Sequence, residues 1–200
     1  MFKNTLVACF LILCFQYGYG QRFHAGLIGG LSTSQVSGDQ LSGFNQAGLI
    51  AGGFVNSPIS EKSSLQMEII FIQKGSRKPV QPNSNNEYYI LRLSYIEVPL
   101  LYKWKASSKL TVEGGPSFGV LVYSQEETER GVYESDPAFR TYEISINVGL
   151  NYPLSENFIV NGRYSNSIVP IRPFEQNYLD PFFNKGQYNS VVAFSFHYQF

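Results

Sequence analysis

The chain has 200 residues, with 15 basic side chains balanced by 15 acidic ones and a formal net charge of zero. Only 15% of residues are charged and 16% are aromatic, including 14 tyrosines and 16 phenylalanines. The absence of a basic block argues against a nucleic-acid partner, the aromatic content argues against disorder, and no apolar run is long enough for a helical membrane span.

The N-terminus reads Met1-Phe2-Lys3-Asn4, then an apolar stretch from Leu6 to Phe15, then Gly18 and Gly20 at alternate positions. A cationic start, a short apolar core and small residues before the cut make a secretory signal peptide over 1–20, cleaved before Gln21. Residues 21–200 are then expected to form one barrel domain. Both cysteines, Cys9 and Cys14, fall within the leader, so the mature chain is expected to lack a thiol for a disulfide, a metal or a nucleophile. Cys14 follows Leu13 rather than a small residue, which makes it a poor lipidation site.

Beyond the leader, two-residue alternation recurs along the chain, the mark of strands whose two faces differ. It predicts strands near 23–34, 45–57, 63–74, 88–104, 108–123, 142–152 and 157–165, and a last one ending at Phe200. In 142–152 the residues Tyr142, Ile144, Ile146, Val148, Leu150 and Tyr152 oppose Glu143, Ser145, Asn147, Gly149 and Asn151. In the last strand Phe194, Phe196, Tyr198 and Phe200 oppose Ala193, Ser195, His197 and Gln199. The connectors alternate in length. Short turns at Asn56–Lys62, Lys105–Ser108 and Pro153–Asn157 separate longer polar loops at Ser37–Phe44, Ser76–Glu87, Ser124–Ala138 and Pro170–Gly186. All long loops therefore emerge on one side and both chain ends on the other, as in outer-membrane barrels. The predicted fold class is all-β: an eight-stranded antiparallel up-and-down transmembrane β-barrel.

The apolar faces carry aromatics at their ends (Tyr142 and Tyr152, or Tyr188, Tyr198 and Phe200), as the two membrane interfaces favour. The opposite faces hold Glu68, Arg92, Glu113, Glu143 and Arg163 mid-strand. An eight-stranded barrel has an interior only wide enough for side chains, so these five are expected to point inward and form carboxylate–guanidinium contacts. Residues 88–104 break the alternation. Tyr89, Leu91, Leu93 and Tyr95 share a face, whereas after Glu97 the apolar residues are Val98, Leu100, Tyr102 and Trp104. A β-bulge near Ile96–Pro99 would restore the phase and turn Glu97 inward, with Pro99 as its marker.

At this point the chain resembles the PorT-like outer-membrane β-barrel family. The resemblance is carried by Ser34-Gln35-Val36-Ser37-Gly38-Asp39, Gln73-Lys74-Gly75-Ser76, Tyr95-Ile96-Glu97-Val98-Pro99-Leu100-Leu101-Tyr102-Lys103 and Gly114-Gly115-Pro116-Ser117-Phe118-Gly119. It implies an outer-membrane barrel, and for the founding member a link to protein secretion. The terminal Tyr198-Gln199-Phe200 resembles the signal read by the barrel assembly machinery. The family defines no catalytic residues, so none is carried over.

Candidate chemistry is sparse. His24 and His197 are the two histidines, expected to be neighbours at the periplasmic rim, and no acidic residue lies near either in sequence to complete a metal site. Ser195 and His197 share the inward face, but an acyl-transferring pair there would need a lateral opening to reach lipid. Gln125-Glu126-Glu127-Thr128-Glu129-Arg130 reads as a solvated acidic loop tip, with divalent-cation binding as the alternative. Strand glycines such as Gly26, Gly52, Gly114 and Gly115 are expected to permit curvature and make room for large inward neighbours. No catalytic, cofactor-binding or metal residue is assigned. The expected function is a non-enzymatic outer-membrane barrel, in contact with outer-membrane lipids and with a protein partner at its outer loops or periplasmic rim. The alternatives are an accessory secretion component and a lipid-modifying barrel enzyme using Ser195 and His197.

Overall fold

Alternating sequence becomes strand wherever one face can be buried, and ten strands form among the described residues: β1 (His24–Ser37), β2 (Gln46–Pro58), β3 (Ser63–Lys78), β4 (Tyr89–Lys105), β5 (Thr111–Thr128), β6 (Gly131–Tyr133), β7 (Tyr142–Pro153), β8 (Phe158–Ser167), β9 (Arg172–Pro173) and β10 (Gly186–Gln199). The computed structural model describes residues 23–39, 41, 43–79, 88–133, 135, 138–173 and 186–200. The leader expected over 1–20, with Cys9 and Cys14, lies outside the described residues, as do parts of the four long loops.

Eight strands pair antiparallel in the order β1-β2-β3-β4-β5-β7-β8-β10. The sheet then closes on itself, β10 pairing with β1 from Gly26↔Gln199 to Ser37↔Tyr188. Closure leaves no free edge, as a sheet in lipid requires. The ring strands are the eight expected from the sequence. Several run further toward the long loops; β5 continues to Thr128 and turns at Gly131, whose φ of 105° suits glycine, into the short β6.

The three short turns share one construction. Ile59, Ala106 and Leu154 each donate a backbone amide to the carbonyl four residues on, at 2.8–2.9 Å. The serine that follows each of them (Ser60, Ser107, Ser155) accepts the amide of the residue three further on, at 3.1–3.2 Å. A serine hydroxyl supplies this local acceptor at little cost, which explains its recurrence at these positions.

The outer surface is apolar: Leu31 and Phe194 are each 63% exposed, and Leu27, Ile69, Val148 and Phe196 stand out beside them. An uninterrupted belt of this kind is not stable in water and matches a bilayer. Tyr142, Tyr152, Tyr198 and Phe200 lie on the same outward face, so Phe200 keeps the register expected of it with Tyr198 and Phe196.

The interior departs from expectation in β4. Leu91, Leu93, Tyr95, Glu97, Leu101 and Lys103 are all buried in one unbroken alternation, so no bulge occurs at Ile96–Pro99, and Tyr89 to Tyr95 do not face lipid. The reason is that part of the lumen is itself apolar. Leu91, Leu93 and Tyr95 pack in a cluster with Val36, Ile72 and Val191, which makes lumen and lipid look alike in sequence. Pro99 sits where the β3–β4 ladder lapses, between Met67↔Leu100 and Ile70↔Glu97, because proline has no amide to donate there. The bulge is on β5 instead. Partners shift from Ser94↔Tyr123 to Tyr95↔Leu121, leaving Val122 as the extra residue. Beyond it Glu126 turns inward and is buried, while Glu127 turns outward toward Arg92.

Candidate functional site

The lumen is built around Glu113 of β5. Its carboxylate accepts from Arg163 Nε at 2.8 Å, Asn161 Nδ2 at 2.8 Å and Asn151 Nδ2 at 2.7 Å, with the Lys103 ammonium 3.4 Å away. Gly149 makes room for it, since a Cβ there would lie 2.8 Å from Glu113 Oε1. The other side of the Arg163 guanidinium grips Glu68 with two hydrogen bonds, at 2.7 and 2.8 Å. Gln66 links the two ends, donating to Glu68 at 2.6 Å and accepting from Lys103 at 2.7 Å. Nearer the long loops, Lys74 is ion-paired with Glu97 and with Glu143, the latter at 2.9 Å, and Asn189 donates to Glu143 at 2.8 Å. Fully dry charges survive only when paired and hydrogen-bonded in this way. A cavity between these groups and Ile28, Ile50 and Ile70 measures about 20 Å3, room for roughly one water molecule.

The outer mouth is closed by the chain itself. Ile171 is buried in the apolar cluster, held by backbone hydrogen bonds to Arg140 and Gln187 at 2.7 and 2.8 Å. Arg172 then donates to Glu126 at 2.8 Å and lies 3.9 Å over the Phe139 ring, while the Tyr89 hydroxyl also donates to Glu126. At the opposite end the lumen opens into a vestibule of about 500 Å3 among the short turns.

Of the five charges expected inside, Glu68, Glu113, Glu143 and Arg163 are there and Arg92 is not. Arg92 faces outward, its side chain 43% exposed, and donates to Glu127 at 2.7 Å. The apolar residues of β4 mislead here, because Leu91, Leu93 and Tyr95 face an apolar part of the lumen and Arg92 therefore points out. Glu97 is inward as expected, though without the bulge invoked to place it. Lys74 and Lys103 were missed, yet parity finds them: Lys74 shares a face with Glu68, and Lys103 with Glu97.

The histidines are not brought together. His197 lies across from Ile28, buried 5.5 Å from the Phe54 ring, whereas His24 approaches Gln199 at 3.4 Å. Two residues of offset along each strand separate them, because His24 precedes the pairing with Gln199. Ser195 Oγ is 3.0 Å from His197 Nε2, with the two residues only 5% and 1% exposed, and His197 Nδ1 has no hydrogen-bond partner among the described residues. The acidic run is not a free tip: Glu126 and Glu127 are engaged by Arg172 and Arg92. Among the described residues no cluster of three or more histidine, cysteine or acidic side chains is placed to hold a metal.

Residues 16–172 match the family described as the outer membrane protein beta-barrel domain. Comparison with curated proteins finds no match. Among solved structures, Neisserial surface protein A is similar with a TM-score of 0.53 and 14% identity, covering 90% of this chain and 99% of its own. The attachment invasion locus protein Ail of Yersinia pestis is similar with a TM-score of 0.52 and 12% identity, covering 88% of this chain and 98% of its own. At such identities these likenesses speak to the fold alone, and they agree with the closed eight-stranded ring and its apolar belt. With more than half of its length matched, the chain belongs to the outer membrane protein beta-barrel domain family and is a β-barrel of the outer membrane.

Proposed function

We propose that the protein is a non-enzymatic outer-membrane scaffold that acts through protein contacts at its ends, its outer loops or its periplasmic rim. One observation carries this reading: the middle of the lumen is filled by paired charges and apolar packing around a cavity of about 20 Å3, which leaves no room there for a solute or a substrate. Ser195 and His197 are buried, and among the described residues no acid partners His197 Nδ1, which counts against an acyl-transfer centre. The Ile-Glu-Val-Pro-Leu stretch at 96–100 and the Gly-Pro stretch at 115–116 favour a narrower second reading, an accessory role in outer-membrane secretion. In both readings the chain reaches the outer membrane after removal of residues 1–20, and Phe200 is read by the assembly machinery. The test is the purified barrel in a planar bilayer, where no steady conductance is expected and a stable open channel would sink the scaffold. Export assays in a deletion strain separate the two readings, since only the secretion role requires export to fail.

A further inference from the structure

The plugged lumen does not account for the vestibule on the short-turn side. Lys62 and Lys105 stand directly opposite each other at its rim: β3 pairs Ser63 with Trp104, and one step further the Lys105 amide donates to the Lys62 carbonyl at 2.8 Å. Like charges across from each other repel. Neither lysine has an ion-pair partner among the described residues. Glu61, next to Lys62 in its turn, and Glu156, in the Pro153–Asn157 turn, do not line the vestibule, and among the described residues no other acidic side chain does. The floor is Lys103, already neutralised by Glu113 and hydrogen-bonded to Gln66, so the uncompensated charge lies at the mouth. Between mouth and floor the walls offer hydroxyls and amides, among them Ser64, Asn56 and Asn151, beside the apolar Pro58, Pro153 and Ile159.

We propose that this vestibule binds a carboxylate-bearing peptide segment of a periplasmic partner, with Lys62 and Lys105 taking its acidic side chains. The proposal rests on the rim-contact reading above and names the partner's chemistry. A compact oxyanion would need several N–H groups converging on one point. Here the two free ammoniums sit at the rim and neutral donors and acceptors continue inward, an order that suits an extended peptide entering with its charges outermost.

The experiment uses the whole barrel folded in detergent and a dye-labelled hexaglutamate peptide, followed by fluorescence anisotropy at low and high salt. Saturable, salt-sensitive binding is expected, weakened at least about tenfold by the double variant Lys62→Glu, Lys105→Glu. Lys109→Glu, in the same turn but outside the vestibule lining, is expected to leave it unchanged. Inorganic phosphate should not displace the peptide. The proposal is overturned by absence of saturable binding, by equal loss in the Lys109 variant, or by phosphate displacing the peptide as well as unlabelled hexaglutamate does. Each variant is checked on unheated gels for the folded form. A barrel that stays folded and closed to ions while binding no peptide leaves the scaffold standing and removes only this assignment.

Discussion

Arg163 and Arg92 are both mid-strand arginines paired with glutamates, yet the barrel places them in opposite worlds. Arg163, 8% exposed, spends its guanidinium on two carboxylates, bidentate to Glu68 and through Nε to Glu113. Arg92 stands at the outer edge of the apolar belt, half in water, holding Glu127 through one nitrogen. The chemistry is the same and the surroundings differ, so the energetic weight should differ. Where water is absent, a lost partner leaves a naked charge; where water is present, it takes the partner's place.

The strongest way to test that contrast is Arg163→Leu. It leaves Glu68 and Glu113 without their shared cation in a dry lumen, and we expect a loss of about 3–5 kcal/mol, read from the urea midpoint of the detergent-folded barrel. Arg163→Lys should recover only part of it, because a lysine cannot span two carboxylates in a planar fork. A midpoint for Arg163→Leu close to wild type would mean that the lumen is hydrated.

A smaller effect is expected from Glu126→Gln, with Val122 present or deleted. The extra residue lets Leu121 and Glu126, five apart in sequence, both face inward. Without it Tyr123 follows Leu121 directly and the pairs from Ser94↔Tyr123 to Leu91↔Glu126 form without interruption, so Glu126 keeps Arg172 and Tyr89. Glu126→Gln, which removes the charge of the latch at the outer mouth, should cost roughly 1–3 kcal/mol in the wild-type and the deletion background alike. A Glu126→Gln effect that vanished in the deletion background would show that the bulge holds the latch.

How much of this was legible in sequence depends on whether the two faces of a strand differ. In β7 the lumen side reads Glu143, Ser145, Asn147, Asn151 and the lipid side is aliphatic and aromatic, so the strand, its phase and the inward charge were all readable. In β4 the lumen side begins Leu91, Leu93, Tyr95 and continues Glu97, Lys103. Alternation marks the strand but cannot say which apolar face meets lipid, and the bulge was placed on the wrong strand as a result. Lys74 and Lys103 followed from parity once that phase was correct. The latch was not readable, since Arg172 meets both Glu126 and Phe139 from a loop far from either in sequence. The meeting of Lys62 with Lys105 depends on the β3–β4 register, which alternation alone does not specify.

The latch carries a pH signature. Glu126 lies on the loop side of Arg92 and Gln125, beyond the apolar belt. Burial opposes its ionisation, and the hydrogen bonds from Arg172 and Tyr89 outweigh it, so the carboxyl sits below the ordinary value of 4.5. A depressed folded-state value contributes stability that is fully present above 4.5 and is lost as pH falls from there through the folded value. The midpoint difference between wild type and Glu126→Gln should therefore be constant from neutral pH down to about that point and shrink below it. A difference that grows on acidification would contradict the pairing with Arg172.

The smallest expected effect belongs to Arg92→Leu, and it is the one that fixes the strand phase. An exposed ion pair contributes about 0–1 kcal/mol, and its remaining Coulomb attraction is screened by salt. Losing it leaves Glu127, whose side chain is 27% exposed, to be solvated by water rather than stranded. The new leucine faces outward at the rim of an already apolar belt, where it meets lipid or interface and creates no cavity. We expect a change of under about 1 kcal/mol, shrinking further at high salt, beside the several kcal/mol expected for Arg163→Leu. If Arg92→Leu instead cost as much as Arg163→Leu and were insensitive to salt, Arg92 would have to be dry and inward. The unbroken phase of β4 and the bulge at Val122 would then both be wrong, because Arg92 cannot face the lumen while Leu91, Leu93 and Tyr95 do.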